Sequence, residues 1–186
     1  YTGGSGDDSL TFGDDLADGG TATFDMSAGG NNTFVAGNSA AENSAAESGS
    51  LSYTGGSGDD NLTFGDDLAY DGSATFDMSL GGNNTLVAED FAAADGSITY
   101  TGGSGDDSLT FGVNLAFGGG SATFDMSLGG NNTFVAGNFA ASTGGSIAYT
   151  GGSGDDSLTF DGYLAHEDGT ATFDMSRGGN NTFVAG

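Results

Sequence analysis

The stretch SITYTGGSGDDSLTF at residues 97–111 and the stretch SATFDMSLGGNNTFVA at residues 121–136 decide the fold of this chain. In each of them a short segment of alternating apolar and hydroxyl residues leads into a glycine-rich turn, and a second short segment follows. The first turn contains GSGDD and the second contains GGNN. Alternation with a period of two is typical of strands that bury one face. The two stretches are therefore predicted to be successive coils of one repeating unit.

This two-coil unit occurs four times, because YTGGSGDD begins at Tyr1, Tyr53, Tyr100 and Tyr149, with TFDMS and GGNNT following each time. The sequence predicts a single domain over residues 1–186, with repeats at 1–52, 53–99, 100–148 and 149–186, the last one truncated. Strands of about four residues bury too little surface to be stable alone, so the coils must stack on one another. We expect an all-β fold, a parallel β-solenoid of about eight stacked coils.

Stacking would place equivalent residues in columns. One inward column is expected to be aromatic in every coil, and it comprises Tyr1, Phe24, Tyr53, Phe76, Tyr100, Phe124, Tyr149 and Phe173. The column beside it alternates Leu or Ile with Ala, and such interlocking sizes explain a period of two coils. The Leu-Ala pairs that begin at Leu16, Leu68, Leu115 and Leu164 are expected to close the core on the far edge. No helix is predicted, and the Ala-rich stretch Ser39–Ser48 is expected to be a loop.

The composition excludes several classes of partner. The chain has 26 acidic residues against one Lys or Arg, for a formal net charge of −25. Such a chain repels nucleic acids and anionic membranes, and it attracts cations. It contains no apolar run long enough to span a membrane, so membrane insertion is not predicted. It also has no cysteine, so a bound metal is expected to stabilise the fold in place of disulfide bonds.

The first turn of each unit carries a recognisable motif. GGSGDDSLT at Gly3, Gly102 and Gly151, with GGSGDDNLT at Gly55, resembles the G-G-x-G-x-D-x-U-x nonapeptide of the RTX (hemolysin-type) calcium-binding proteins. The resemblance implies a β-roll whose turns bind Ca²⁺ through carboxylate and backbone oxygens. The implied carboxylate ligands are Asp8, Asp60, Asp107 and Asp156. The residues implied to contribute mainly backbone oxygens are Asp7, Asp59, Asp106, Asp155, Gly4, Gly6, Gly56, Gly58, Gly103, Gly105, Gly152 and Gly154. The alternative is a turn without metal, since Asp and Gly are good turn formers.

The sequence departs from this motif in two places. Stretches such as GDDLADGG at residues 13–20 do not fit it, so they are expected to be loops and only one edge is predicted to bear metal. The second turn has Asn where the motif has Asp, at Asn32, Asn84, Asn132 and Asn181. These Asn residues either complete calcium sites as neutral oxygen ligands, the interpretation we favour, or form amide hydrogen-bond ladders without metal. Asp25, Asp77, Asp125 and Asp174 either add further ligands or bond turn amides.

No catalytic constellation is present in the sequence. His166 is the only histidine, there is no lysine or cysteine, and the acidic pairs are turn residues repeated in every unit. Four equivalent active sites are improbable, so the chain is predicted not to be an enzyme. We predict a calcium-stabilised structural or adhesive module of a secreted or cell-surface protein, expected to unfold on chelation. The expected partners are calcium ions and either flanking repeats or further copies stacked end to end as a filament.

Two other functions follow from other features. The outward column Thr23, Ser52, Thr75, Thr99, Thr123, Ala148 and Thr172 would form a regular hydroxyl face, which predicts ice binding as the alternative. Carbohydrate binding ranks last, because the sequence predicts neither a basic groove nor an exposed aromatic platform.

Overall fold

The computed structural model describes residues 1–13, 16–37, 46 and 48–186, and it confirms the predicted fold class. The described chain is all β, with parallel strand pairs throughout its sheets, and it winds through about seven complete turns of a solenoid. No described segment forms a helix long and apolar enough to cross a membrane. The predicted loop at Ser39–Ser48 falls outside the described residues except for Ala46 and Ser48.

The strands that lead into the turns form one sheet, here called the entry sheet. Its order is β18-β15-β12-β9-β6-β4-β2, so each coil pairs only with the coil before it and the coil after it. Its strands are β2 (Thr21–Asp25), β4 (Ser50–Thr54), β6 (Ser73–Asp77), β9 (Ser97–Thr101), β12 (Ser121–Asp125), β15 (Ser146–Thr150) and β18 (Thr170–Asp174). Thr2 extends this sheet by an isolated parallel bridge to Asp25.

The strands that leave the turns form the exit sheet, which has eight strands in the order β1-β3-β5-β7-β10-β13-β16-β19. They are β1 (Ser9–Phe12), β3 (Thr33–Ala36), β5 (Asn61–Phe64), β7 (Thr85–Ala88), β10 (Ser108–Phe111), β13 (Thr133–Ala136), β16 (Ser157–Phe160) and β19 (Thr182–Ala185). The pairing register never slips, so Phe111 lies between Ala88 and Ala136 as the alternation of large and small residues predicts.

A third sheet closes the solenoid opposite the turns, and here the loop prediction is wrong for four coils. Its strands are β8 (Phe91–Ala92), β11 (Asn114–Phe117), β14 (Phe139–Ser142) and β17 (Tyr163–His166), in the order β17-β14-β11-β8. These segments have weak strand patterns of their own. They become strands because the neighbouring coil offers backbone partners at the right spacing. The Leu-Ala pairs do close the core here, with Leu68 and Leu115 buried.

The core is a continuous column of aromatic and aliphatic side chains between the three sheets. The two rings within a coil touch edge to face, as Phe124 and Phe134 do at a centroid distance of 4.9 Å. Phe134 in turn touches Tyr149 of the next coil. Such contacts stabilise the core in addition to the stabilisation that comes from burying each ring. Met78 and Met126 are buried among these rings, which agrees with a packing role.

Candidate functional site

The turn edge of the solenoid consists of two parallel columns in which Asp and Asn alternate from coil to coil. Each turn contributes two consecutive residues, the first exposed and the second buried in all but the outermost coils. The inner column is Asp8, Asn32, Asp60, Asn84, Asp107, Asn132, Asp156 and Asn181. The outer column is Asp7, Asn31, Asp59, Asn83, Asp106, Asn131, Asp155 and Asn180. The predicted ligand residues are therefore brought together on one edge.

The inner column is a hydrogen-bond ladder that points toward the C-terminal end. The Asp60 N–H donates to Asn84 Oδ1 at 3.0 Å, and the Asn84 N–H donates to Asp107 Oδ1 at 2.9 Å. Each buried Asn also donates its side-chain amide onward, as Asn132 Nδ2 does to Asp156 Oδ1 at 2.9 Å. An Asp Oδ1 in this column thus accepts two N–H groups from the preceding coil.

The outer column forms a second ladder of opposite direction. The Asn83 N–H donates back to Asp59 Oδ1 at 2.7 Å, and the Asp106 N–H donates back to Asn83 Oδ1 at 2.9 Å. The same pattern continues to Asn131 and beyond. Every step between coils is therefore bonded twice at the turn, once forward through the inner residue and once backward through the outer one.

The alternation of Asp and Asn has an electrostatic reason. Adjacent strands lie about 4.8 Å apart, so Asp residues in every second coil are about 9.6 Å apart. This doubling of the distance halves the Coulomb repulsion that an all-Asp column would have. The Asn between two Asp residues also supplies a side-chain donor that Asp cannot supply.

Burial affects the protonation of two of the inner carboxylates, Asp60 and Asp107. Asp60, Asp107 and Asp156 are 1%, 2% and 1% exposed. Desolvation raises the pKa of Asp60 and of Asp107, and the hydrogen bonds from the preceding Asn only partly offset it. Below the turn lie the buried tyrosines of the aromatic column. Burial and the nearby Asp60 carboxylate raise the pKa of the Tyr53 hydroxyl.

Glycines bring successive turns into direct contact. A methyl group at Gly130 would overlap the carbonyl of Gly105, and one at Gly154 would overlap the carbonyl of Gly130. The same column runs back through Gly82 and Gly58. Side chains are therefore excluded here by the neighbouring coil, in addition to the positive φ of 81° at Gly130.

The motif glycines also contact the inner carboxylates. The N–H of Gly56 donates to Asp60 Oδ2 at 3.1 Å, and the N–H of Gly152 donates to Asp156 Oδ2 at 3.2 Å. Gly4 makes the same contact with Asp8. The two oxygens of Asp60 and of Asp156 are thus both engaged by N–H donors of the chain.

The Asp residues that end the entry strands bond turn amides, the second of the two roles considered for them. Asp125 Oδ1 accepts from the Ser127 N–H at 2.9 Å, and Asp25, Asp77 and Asp174 make the equivalent contact. Hydrogen bonds from the side chain and then the backbone N–H of the serine two residues later lower the pKa of Asp25, which is half-buried, and of Asp174, which is exposed.

The inner and outer carboxylates of the turn edge differ in how well they suit a cation. The inner carboxylates are buried, and those of Asp60 and Asp156 accept N–H groups on both oxygens, whereas Asp107 Oδ2 is buried without a hydrogen-bond partner. The N–H groups donated by the Asn residues match the amide-ladder interpretation. The outer carboxylates are exposed and use one oxygen in the ladder. Among the described residues, no three Asp, Glu or His side chains lie close enough to hold a metal ion together.

Comparisons of this chain with protein-family models, curated proteins and solved structures find no match. The resemblance to the RTX nonapeptide therefore remains an interpretation of the motif.

The third sheet carries a surface that the sequence analysis missed. Phe139 stacks on Tyr163 of the next coil, with ring centroids 5.4 Å apart and an interplanar angle of 20°. His166 contacts both rings. Tyr163 is 61% exposed, so the expectation that no aromatic platform reaches the surface is wrong. The recurrence of an aromatic residue just before Ala or Leu-Ala, at Phe91, Phe139 and Tyr163, is the signal that could have revealed it.

A backbone feature explains how these rings share one face. Ala165 has a φ of 55°, in the left-handed region, and Ala141 has a φ of 54° at the equivalent place one coil earlier. In a regular strand Tyr163 and Ala165 would point the same way. The left-handed residue shifts the alternation, so Tyr163 and His166 lie on the same side and touch at 5.1 Å.

Proposed function

We propose that this chain is a non-enzymatic structural and adhesive module, a stiff solenoid rod of a secreted or cell-surface protein. The observation that carries the proposal is the unbroken register of the turn edge, where both ladders link every pair of neighbouring coils. At about 4.8 Å per turn, the seven or so complete turns form a rod about 34 Å long. A rod bonded twice at each step resists bending and slippage, which is useful for spacing or anchoring and does not require a reactive group.

The charge and the outermost coils fit this role. The chain has one Lys or Arg and no cysteine, and its lone His166 lies on the third sheet beside Glu167, with no counterpart in the other repeats. In the last coil Phe183 and Val184 are 48% and 50% exposed. A further coil would cover them and continue both ladders. We propose that this coil comes from flanking repeats or from a second copy of the chain.

Calcium enters the proposal at the outer column. The RTX resemblance favours Ca²⁺, and so do the charge of −25 and the exposed Asp59, Asp106 and Asp155. The inner carboxylates of Asp60 and Asp156 already accept N–H groups on both oxygens and fit an ion poorly, and at Asp107 only Oδ2 is without a donor. We therefore propose that calcium neutralises the outer carboxylates of a rod that hydrogen bonds already hold together. Chelation is then expected to weaken the fold, and not to abolish it as the motif alone predicts.

Thermal unfolding followed by circular dichroism tests this role of calcium. We expect a folded chain in EGTA and a melting temperature that rises by a few degrees in Ca²⁺, beyond the rise in NaCl of equal ionic strength. About 1 kcal/mol shifts the melting temperature of a chain this size by about 2–4 °C. In the triple variant Asp59→Asn, Asp106→Asn and Asp155→Asn the ladder acceptors remain, and the calcium increment should disappear.

The contradicting outcomes are distinct. If the chain is unfolded in EGTA, the inner column is the calcium site, as the RTX motif implies. If the rise in melting temperature with Ca²⁺ persists in the triple variant, or if NaCl produces the same rise, the outer column is not the calcium site.

Ice binding is a second candidate, and one structural feature favours it. The exposed face of the entry sheet has two hydroxyl columns in place of the single column noted in the sequence. The added column is Thr21, Ser50, Ser73, Ser97, Ser121, Ser146 and Thr170, and it is Ser or Thr in every strand of the sheet. It lies beside the column of Thr99 and Thr123, which Ala148 interrupts. A thermal-hysteresis measurement separates the two candidates, since a purely structural rod gives none.

A further inference from the structure

The outward surface of the exit sheet, here called the exit face, carries no charged side chain. In each strand two residues point outward, because the other two, such as Leu109 and Phe111, belong to the core. The outward residues form two columns along the rod. The column next to the turns is Ser9, Thr33, Asn61, Thr85, Ser108, Thr133, Ser157 and Thr182. The column beside it is Thr11, Val35, Thr63, Val87, Thr110, Val135, Thr159 and Val184.

The entry sheet differs from the exit face in charge. Every second strand of the entry sheet ends in an outward carboxylate, at Asp25, Asp77, Asp125 and Asp174. A partner that covers the entry sheet must desolvate these carboxylates or meet their charge, which is costly. A partner that covers the exit face desolvates no charge at all, although the whole chain carries −25. Of the two sheets that flank the turns, the exit sheet is therefore the one suited to a neutral contact.

The exit face is also regular in shape. Its strands are parallel and in register, so equivalent side chains repeat at about 4.8 Å along the rod. Thr and Val are both branched at Cβ and stiff at χ1, so their alternation gives a row of ridges of nearly equal height. Rows of this kind on two in-register sheets interdigitate and exclude water from between them. The surface that matches the period of the exit face is therefore a second exit face.

We propose that the exit faces of two copies of this chain pack against each other, so that the rods associate side by side. The inference deepens the proposed structural function, on which it rests, because it assembles single rods into lateral bundles. It does not depend on where the chain ends. Every coil contributes two outward side chains to the contact, and further coils at either end would lengthen it.

The size of the exit face sets the strength of this pairing. A four-residue strand spans about 13 Å, so on a rod about 34 Å long the face measures about 450 Å². Two paired faces bury about 900 Å², less than the roughly 1,200–2,000 Å² of stable interfaces. Repulsion between two chains of charge −25 opposes the pairing further at low ionic strength. A dimer of this chain is therefore expected to be weak and to strengthen with salt and with the number of coils.

Sedimentation equilibrium and small-angle X-ray scattering of the unmodified chain test the pairing. We expect monomers in low salt and dimers in about 1 M NaCl, where charges farther apart than about 3 Å are screened. Because the rods lie side by side, scattering should show a larger cross-section and an unchanged length for the dimer. Stacking end to end would give the opposite result, a doubled length with an unchanged cross-section.

Two double variants with the same change in charge locate the contact. Thr63→Asp with Thr110→Asp places two carboxylates on the exit face, two coils apart. The matched control, Thr75→Asp with Thr123→Asp, places two carboxylates on the entry sheet at the same spacing. The exit-face variant should weaken dimerisation about tenfold or more, because like charges would be buried opposite each other. The control should change the dimerisation constant by less than about twofold in high salt, where its added charges are screened.

Several results would overturn the inference. One is a chain that stays monomeric in high salt, and another is a dimer of doubled length. Equal weakening by the two double variants would mean that net charge, and not the exit face, governs association. The scattering of the unmodified chain decides the question even if the exit-face variant does not fold. Circular dichroism separates this inference from the proposed function, since a folded monomer contradicts lateral pairing alone, whereas an unfolded chain contradicts the rod itself.

Discussion

The turn edge and the third side of the solenoid belong to the same coils, yet their sequences obey different constraints. At the turn edge each residue bonds or touches its equivalent one coil away, so GSGDD and GGNN recur in all four repeats. On the third side the backbone again pairs between coils, but Phe91, Asn114, Phe139 and Tyr163 succeed one another in a single column. Backbone pairing requires no particular side chain, whereas a ladder built from side chains requires Asp or Asn at every step.

This contrast separates the rod from the surface it carries. The turn edge sets the register of the coils, and the third side can change its outward residues without disturbing that register. Variable surface chemistry is therefore expected on the third side, where Phe139, Tyr163 and His166 lie together. The difference can be tested directly by equivalent substitutions on the two sides.

The largest expected effect comes from a pair of glycines with the same backbone conformation. Gly130 at the turn edge and Gly144 on the third side have φ of 81° and 82°. A methyl group would overlap the Gly105 carbonyl at the first site and meet no atom within 4 Å at the second. Gly144→Ala should cost about 1–2 kcal/mol from backbone strain alone. Gly130→Ala should cost about 3–5 kcal/mol or prevent folding. Urea unfolding followed by circular dichroism measures both, and equal costs would mean that the turns are not in contact.

A second pair of substitutions compares the inner and outer columns. Asn132→Asp replaces a buried donor, 2.9 Å from Asp156 Oδ1, by a second carboxylate. An unpaired buried charge of this kind should cost about 3–5 kcal/mol. Asn131→Asp makes the same change in the exposed column, beside Asp106, and should cost about 1 kcal/mol or less. The difference in the free energy of unfolding at pH 7 checks this. A larger loss of unfolding free energy for Asn131→Asp than for Asn132→Asp would contradict the claim that the buried column contributes more to stability than the exposed one.

A smaller effect on stability is expected from pH. Moderate acid should stabilise the fold, which is the opposite of ordinary acid denaturation. The pKa of Asp60 and of Asp107 is raised in the folded chain by burial, so the folded state takes up protons before the unfolded state does as pH falls. The stability that these two residues contribute is fully present below the ordinary Asp pKa of about 3.9. It is lost as pH rises through their raised pKa in the folded chain. The lowered pKa of Asp25 and of Asp174 acts in the opposite sense at still lower pH.

The melting temperature should therefore rise as pH falls from 7 toward about 5, and decline only near or below the ordinary Asp pKa. In the double variant Asp60→Asn and Asp107→Asn the rise should shrink. The part that remains reports the relief of general repulsion in so acidic a chain. A melting temperature that falls steadily from pH 7 would show that the inner carboxylates are stabilised as anions.

The sequence was sufficient to predict the coil stacking, because the period-two alternation and the alternation of Phe111 with Ala88 and Ala136 are visible in it. It also placed Asp60 and Asn84 in one column. It could not choose between ligand and ladder for Asn84, since both need an oxygen directed at the neighbouring coil. Only the N–H groups that meet this oxygen from the adjacent turn distinguish them.

The third side was harder to predict for a physical reason. Its segments have weak strand preferences, and left-handed alanines such as Ala116 and Ala165 interrupt the alternation on which strand prediction depends. Strand formation at β11 and β17 results from pairing with adjacent coils, which local sequence does not encode. The outward position of Tyr163 and His166 follows from the same interruption and was missed with it.

The central claim is that two ladders of opposite direction hold the turns together through the chain's own hydrogen bonds. Amide hydrogen exchange measured by NMR in EGTA tests it residue by residue. The amides of Asn84, Asp107 and Asn132 donate to side chains of the following coil and should be protected about as strongly as the strand amides of β10 and β13. Exchange of these amides at the rate of an open loop, while the strands stay protected, would contradict the claim.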